Sequence, residues 1–215
     1  MYSYKLFRAI AKQLVLSAFL VAGASTILNA QQLPIDGVDA RADTKELAKQ
    51  LSSPDANVRQ RGAEGLAKLA ATDQEKLVEG YQLQEKNKQV RLALDWALYR
   101  MGHNDALFRV VKDLDSGRQE QAIGYLSDLE SPDLLYPFLK KQNSPARVNA
   151  GLLKALAKIG NAETLEVVKP YRESVQPYVA EAAELAYDEI EKRLGSDTQS
   201  SRSRPRTVDK NPERP

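Results

Sequence analysis

The sequence predicts an all-α fold: an α-solenoid of about five stacked helix pairs followed by a disordered C-terminal tail. The first observation behind this is a turn-plus-helix pattern that returns about every 30 residues. The second is that apolar residues recur at i, i+3, i+4 and i+7, with no stretch of β-branched or aromatic residues alternating with polar ones. The third is chemical. The 215 residues include no Cys and one His, His103. That excludes a disulfide framework, a thiolate zinc site and paired-imidazole centres, so neither catalytic residues nor a metal site is expected.

From the N-terminus, residues 1–30 hold Lys5, Arg8 and Lys12 and no acid, and residues 14–28 are uncharged. A basic start, a short apolar run and a small residue before polar Gln31-Gln32 predict a cleaved secretory signal peptide ending at Ala30, with Ala24 as the alternative cut. Retained, the run would be an anchor, but it is shorter than the roughly 20 residues needed to span hydrocarbon. The overall charge is +2; the 31 basic residues less the three in 1–30 leave 28 against 29 acidic ones. So balanced a chain is not expected to bind nucleic acid through its phosphates.

Residues 31–40, with Pro34 and Asp36-Gly37, form a linker, and a helix is predicted over 41–51. The repeats follow. Their anchor positions fall at 58, 90, 118, 148 and 179, spaced 32, 28, 30 and 31 apart. Val58-Arg59 leads to Gly62, Leu66 and Leu69; Val90-Arg91 to Leu94, Leu98 and Met101; Arg118-Gln119 to Ala122, Leu126 and Leu129. Val148-Asn149 leads to Leu152, Leu156 and Ile159, and Val179 to Ala183, Tyr187 and Ile190. A second, shorter helix is predicted after each of the first four, over 74–84, 105–114, 132–141 and 162–172. Ser53-Pro54, Ser131-Pro132 and Ser144-Pro145 predict a capping residue followed by Pro in the first turn. Helices this short cannot bury an apolar face alone, so neighbours must stack over 41–194. Gly195 is expected to stop the last helix. Residues 196–215 carry one aliphatic side chain, Val208, five bases and three acids, which predicts a disordered basic tail over 195–215.

The run 53–66, Ser-Pro-Asp-x-x-Val-Arg-x-x-Gly-Ala-x-x-Leu, is echoed by Val90-Arg91 and by Ser144-Pro145 with Val148 and 155–161. It resembles HEAT repeats of the short bacterial subtype seen in phycobilin lyases. Repeats three and five depart from it, with Arg118-Gln119 and Val179-Ala180 in place of Val-Arg. The period is shorter than the 34 residues of tetratricopeptide repeats, and their Trp, Gly, Tyr and Pro landmarks are missing. The resemblance implies a HEAT-like, armadillo-type superhelix acting as an interaction scaffold; through the lyases it also implies tetrapyrrole handling as an alternative.

In such an array the second helices are expected to line the concave face. Here they supply Tyr81, Arg109, Lys112, Tyr136, Lys140, Lys141, Lys169, Tyr171 and Arg172, an aromatic and basic ridge suited to an acidic peptide. Trp96 shares a repeat column with Glu64, Gly124 and Lys154, polar or small residues, which predicts partial exposure and a binding anchor; filling a gap between uneven helices is the competing role. His103, in Met101-Gly102-His103-Asn104, reads as a polar turn residue. Asp113 with Asp115, and Glu181 with Glu184, have ordinary helical surface spacing. Arg202, Arg204 and Arg206 offer the tail a weak contact with anionic surfaces.

The sequence therefore predicts an exported, non-catalytic scaffold without cofactor that binds a protein or peptide partner in the cell envelope. The periplasm is the expected location, secretion the second. A tetrapyrrole-lyase-like enzyme and a polyanion-binding module using the tail are the alternatives.

Overall fold

The computed structural model describes residues 40–141 and 143–202. The expected signal segment 1–30, nearly all of the linker and tail residues 203–215 lie outside the described residues. Among those residues the chain is all-α, without a strand, and has ten α-helices. Among the described residues no helix is long and apolar enough to cross a membrane.

Helix α1 (Ala40–Gln50) precedes four pairs: α2 (Ala56–Lys68) with α3 (Glu75–Gln84), α4 (Lys88–Arg100) with α5 (Asn104–Lys112), α6 (Gln119–Leu126) with α7 (Tyr136–Leu139), and α8 (Ala146–Ile159) with α9 (Ala162–Val168). Helix α10 (Pro177–Arg202) closes the series. The first and last helices stand outside the pairs, as expected from the helix predicted over 41–51 and from a fifth repeat without a second helix. All four second helices adjoin a 3₁₀ turn, Thr72–Gln74 before α3 and Asp113–Asp115 after α5 among them. Pro132–Leu135 precedes α7, and Lys169–Glu173, containing Pro170, follows α9. Pro137 and Pro170 lack the N–H that a continuous α-helical ladder requires.

Two expectations about helix ends change. Ser131 does cap with Pro132 behind it, but α2 is capped by Asp55, whose side chain accepts from the Asn57 N–H, and Pro145 itself occupies the position before α8. Asp55 wins because a carboxylate is the better acceptor at a helix N-terminus. Gly195 does not stop α10, which continues to Arg202. The end of α4 is built around Gly102 at φ 108°. There the His103 N–H reaches Leu98 O at 3.0 Å and the Gly102 N–H reaches Tyr99 O at 2.9 Å, a Schellman closure.

The core is one continuous cluster running from Leu51 to Ala186. Helix α4 is its centre: Leu92, Ala93, Leu94, Asp95, Trp96, Ala97 and Leu98 are all buried, because α2, α3, α5 and α6 pack around it. Farther along, α6 packs on α8 and α8 on α10. Gly62 lets α1 lie directly on α2. A Cβ there would stand 2.9 Å from Leu47 O and 2.9 Å from Gln50 Cβ.

Polar ties fix the helices against one another, the first within a pair and the others from one pair to the next element. Arg59 makes a forked contact with Glu85 (2.7 and 3.1 Å) while also donating to Ser53 O and Pro54 O. Tyr136 Oη and Thr164 Oγ1 are 2.7 Å apart, and Tyr171 Oη donates to Leu139 O at 2.8 Å. Arg193 donates to Ala157 O and Gly160 O. These ties span 26 to 36 residues, one repeat each.

Two outcomes test this packing. Gly62→Ala is expected to destabilise by about 1–3 kcal/mol in chemical denaturation, since overpacking against backbone outweighs the better helix propensity of Ala. Gly80→Ala, also helical but with open space around it, should instead stabilise by about 0.5–1 kcal/mol. The second outcome concerns acid. Arg59 beside Glu85 holds its carboxyl below the usual value. The unfolded chain then takes up that proton at higher pH than the folded one, so the stability it contributes is present above the unfolded value and is lost as pH falls through the folded value. Arg59→Ala should cost about 2–3 kcal/mol at pH 7, because Glu85 is only 7% exposed, and should flatten the decline between about pH 5 and pH 3.

Candidate functional site

A groove of about 800 Å³ is lined by first helices of successive pairs. Glu64 and Lys68 come from α2, Trp96 and Arg100 from α4, Gln121, Gly124 and Tyr125 from α6, and Lys158 from α8; Ser127 and Asp128 follow α6. Their positions repeat because a side chain at one place in a pair recurs about 30 residues later on the parallel place of the next. Trp96 follows Glu64 by one period, and Gly124, the neighbour of Tyr125, follows Trp96 by another.

The floor is aromatic. Trp96 and Tyr125 stack with ring centroids 5.6 Å apart and 3° between planes, and Tyr99 also stacks with Trp96, at 5.4 Å and 27°. Tyr125 Oη donates to Glu64 Oε1 at 2.6 Å across two full periods, and accepts from Gln121 Nε2 at 2.8 Å. Gln60 Nε2 donates to the same Glu64 oxygen at 2.9 Å. Burial and the Glu64 carboxylate that accepts its proton push the Tyr125 phenol well above its usual value, so it remains a neutral donor. Arg100 lies 5.8 Å over the Trp96 ring, a cation–π distance. The exposed side chains of Lys68 and Lys158 stand at the rim.

Trp96 is the one residue of the sequence-based set that lines this groove, and it is 5% exposed. The expected partial exposure is therefore replaced by the core-filling role: Tyr125 and Tyr99 both stack with the ring. Glu64, Lys68, Arg100, Gln121, Tyr125 and Lys158 were missed. The signal that could have found them is the Trp96 column itself, which contains Glu64 and Gly124 and lies beside Tyr125.

The second-helix ridge does not form one surface. Tyr136 is buried and spent on Thr164, Tyr171 is half-buried and spent on Leu139 O, and Tyr81 packs against the core. Arg172 forks onto Glu184 (2.5 and 2.8 Å) and lies 4.4 Å over the Tyr187 ring. Lys140 lies 6.0 Å over Tyr136, and Lys169 is exposed on the Lys169–Glu173 turn.

The structure brings three of the ridge cations into two smaller depressions. Arg109 and Lys112 border one of about 490 Å³ with Arg91, Arg118 and the acids Asp95, Asp113 and Asp115. Within it, buried Asp95 accepts from Arg109 Nε at 2.6 Å and Gln82 Nε2 at 3.0 Å. Burial pushes the Asp95 carboxyl up, and these two donors pull it back. Arg118 pairs with Asp113, so that carboxylate is a structural partner. Lys112 and Lys141 border the other, an apolar hollow of about 270 Å³ at Phe108 and Phe138, with Lys141 lying 5.5 Å over Phe108. One carboxylate of each pair in the sequence reading, Asp113 and Glu184, is thus held by Arg118 or Arg172.

His103 departs from the plain turn residue expected. Its Nε2 lies 3.1 Å from Glu75 Oε1 and 3.7 Å from Glu79 Oε1, both on α3.

No protein-family model matches the chain, and no curated protein matches it. Among solved structures, a crystal structure described as an engineered protein aligns with 69% of this chain and 79% of its own, at 21% identity and a TM-score of 0.33. A likeness that distant carries no argument about function.

Proposed function

We propose that this chain is an exported, non-catalytic α-solenoid of HEAT-like repeats that holds an acidic protein or peptide segment of the cell envelope in the groove over Trp96 and Tyr125. One observation carries the reading: an aromatic floor rimmed by Lys68, Arg100 and Lys158, in which the Glu64 carboxylate already accepts hydrogen bonds from Tyr125 and Gln60. The groove carries three cations, Lys68, Arg100 and Lys158, against Glu64 and Asp128, with Arg100 also 3.8 Å from Glu130. A floor of packed, already fixed side chains costs a ligand little ordering entropy, and basic groups at a rim attract and orient an acidic chain. The sequence supports the remainder of the proposal: the signal-like segment 1–30 for export, and the lack of Cys and of paired His for a protein that works by surface.

A photoreactive residue placed at 158 should crosslink a partner in intact cells, whereas one at 140 should not. Arg100→Glu with Lys158→Glu should weaken that complex about tenfold or more and reduce its salt dependence, at about 0.7 kcal/mol or more per reversed rim charge. Crosslinking at 140 but not at 158 would overturn the groove assignment.

A further inference from the structure

Three side chains able to ligate a metal gather at the corner where α3 meets the turn between α4 and α5, and none of them lines the groove. Glu75 and Glu79 lie one helical turn apart on α3, and both carboxylates converge on the chain's one imidazole. One donor atom from each of Glu75, Glu79 and His103 lies within 4.8 Å of the other two. Nothing in the sequence foretold this, since His103 is 24 residues or more from either Glu. The Schellman closure at Gly102 and the packing of α3 on α4 bring them together.

The proton arithmetic leaves the cluster incomplete. A neutral imidazole has at most one Nε2 proton to share between two carboxylates; Glu75 Oε1 lies 3.1 Å from Nε2 without a formed hydrogen bond, and Glu79, at 3.7 Å, is beyond hydrogen-bond range. Among the described residues neither carboxylate has a Lys or Arg ion pair. Two carboxylates and one nitrogen aimed at a common point are instead satisfied together by a divalent cation. Donors sharing a tetrahedral ion at about 2.0–2.2 Å stand about 3.3 Å apart. The two His–Glu separations bracket that value, and the Glu–Glu gap closes by rotation of exposed side chains.

We propose that Glu75, Glu79 and His103 bind one borderline divalent cation of the zinc class, clipping α3 to the α4–α5 turn. The nitrogen donor and the small number of oxygens favour zinc over calcium or magnesium, which take six or more oxygens or retain a water shell. All three side chains are partly exposed, between 27% and 45%, so water completes the coordination.

The test is zinc chloride titrated into the tag-free protein by calorimetry, with melting followed in parallel. One equivalent should bind and raise Tm by about 3–6 °C at saturation, while magnesium and calcium at the same concentration leave Tm unchanged. His103→Ala should abolish binding, and the isosteric pair Glu75→Gln with Glu79→Gln should weaken it at least tenfold with the helical circular dichroism intact. Absence of zinc binding, binding undiminished in His103→Ala, or equal binding of calcium would each overturn the site. None of these outcomes bears on the groove over Trp96.

Discussion

The structure depends on each helix pair being held in register by the next. Apolar burial draws short helices together but is non-directional; it sets how closely α2, α4, α6 and α8 pack and leaves sliding and rotation weakly determined. The polar ties supply direction. Several end on carbonyls that a helix terminus leaves unpaired: Tyr171 reaches Leu139 O, and Arg193 reaches Ala157 O and Gly160 O. Others join the start of one pair to the start of the next, as Gln119 does with Arg147 O and Arg147 with Ser116 O. Each leaves its acceptor satisfied only in one register, because a hydrogen bond loses most of its strength within an ångström of slip.

The groove is what that register produces. Glu64, Trp96 and Tyr125 converge because two successive one-period steps keep the same side of α2, α4 and α6 turned the same way. The Tyr125–Glu64 contact, spanning 61 residues, closes over Trp96 and fixes both partners. A slip of one residue at either junction would rotate a helix by about 100° and aim Tyr125 elsewhere. The aromatic floor therefore belongs to no single repeat. It is also preorganised, since the phenol's donor and the indole ring are already engaged within the protein.

What was legible in the sequence was local. Apolar spacing, Pro and the repeat period are properties of ten to thirty neighbouring residues, and they place nine of the ten helices within a few positions; α10 runs on past Gly195. Rivalry between neighbouring signals blurred the ends: Asp55 and Ser53 both fit a cap, and the stronger acceptor took it. The groove was harder to read because its lining is set by which face each helix turns inward. Arg109, Tyr136, Tyr171 and Arg172 have the composition of a binding ridge, yet their polar atoms go to Asp95, Thr164, Leu139 and Glu184. Composition gives the groups a surface could use; only the packed structure tells which of them it already uses.

Helix α3 shows how far polar contacts carry an element that apolar burial does not. Of its ten residues only Val78 and Gln82 are buried, and Leu83 is 77% exposed. So little apolar area would hold an isolated ten-residue helix poorly. Yet each turn is met by a charged or amide partner. Glu75 and Glu79 face His103, Gln82 donates to Asp95, and Glu85, just past the last turn, receives Arg59. Asp95 is costly to bury, but Gln82 from α3 and Arg109 from α5 meet it together, so the charge that α4 carries inward holds both flanking helices. The position of α3 is consequently governed by charge rather than by hydrophobic area. Acid, salt or a bound cation would act on this helix before the Leu-rich core that runs through α4 and α8.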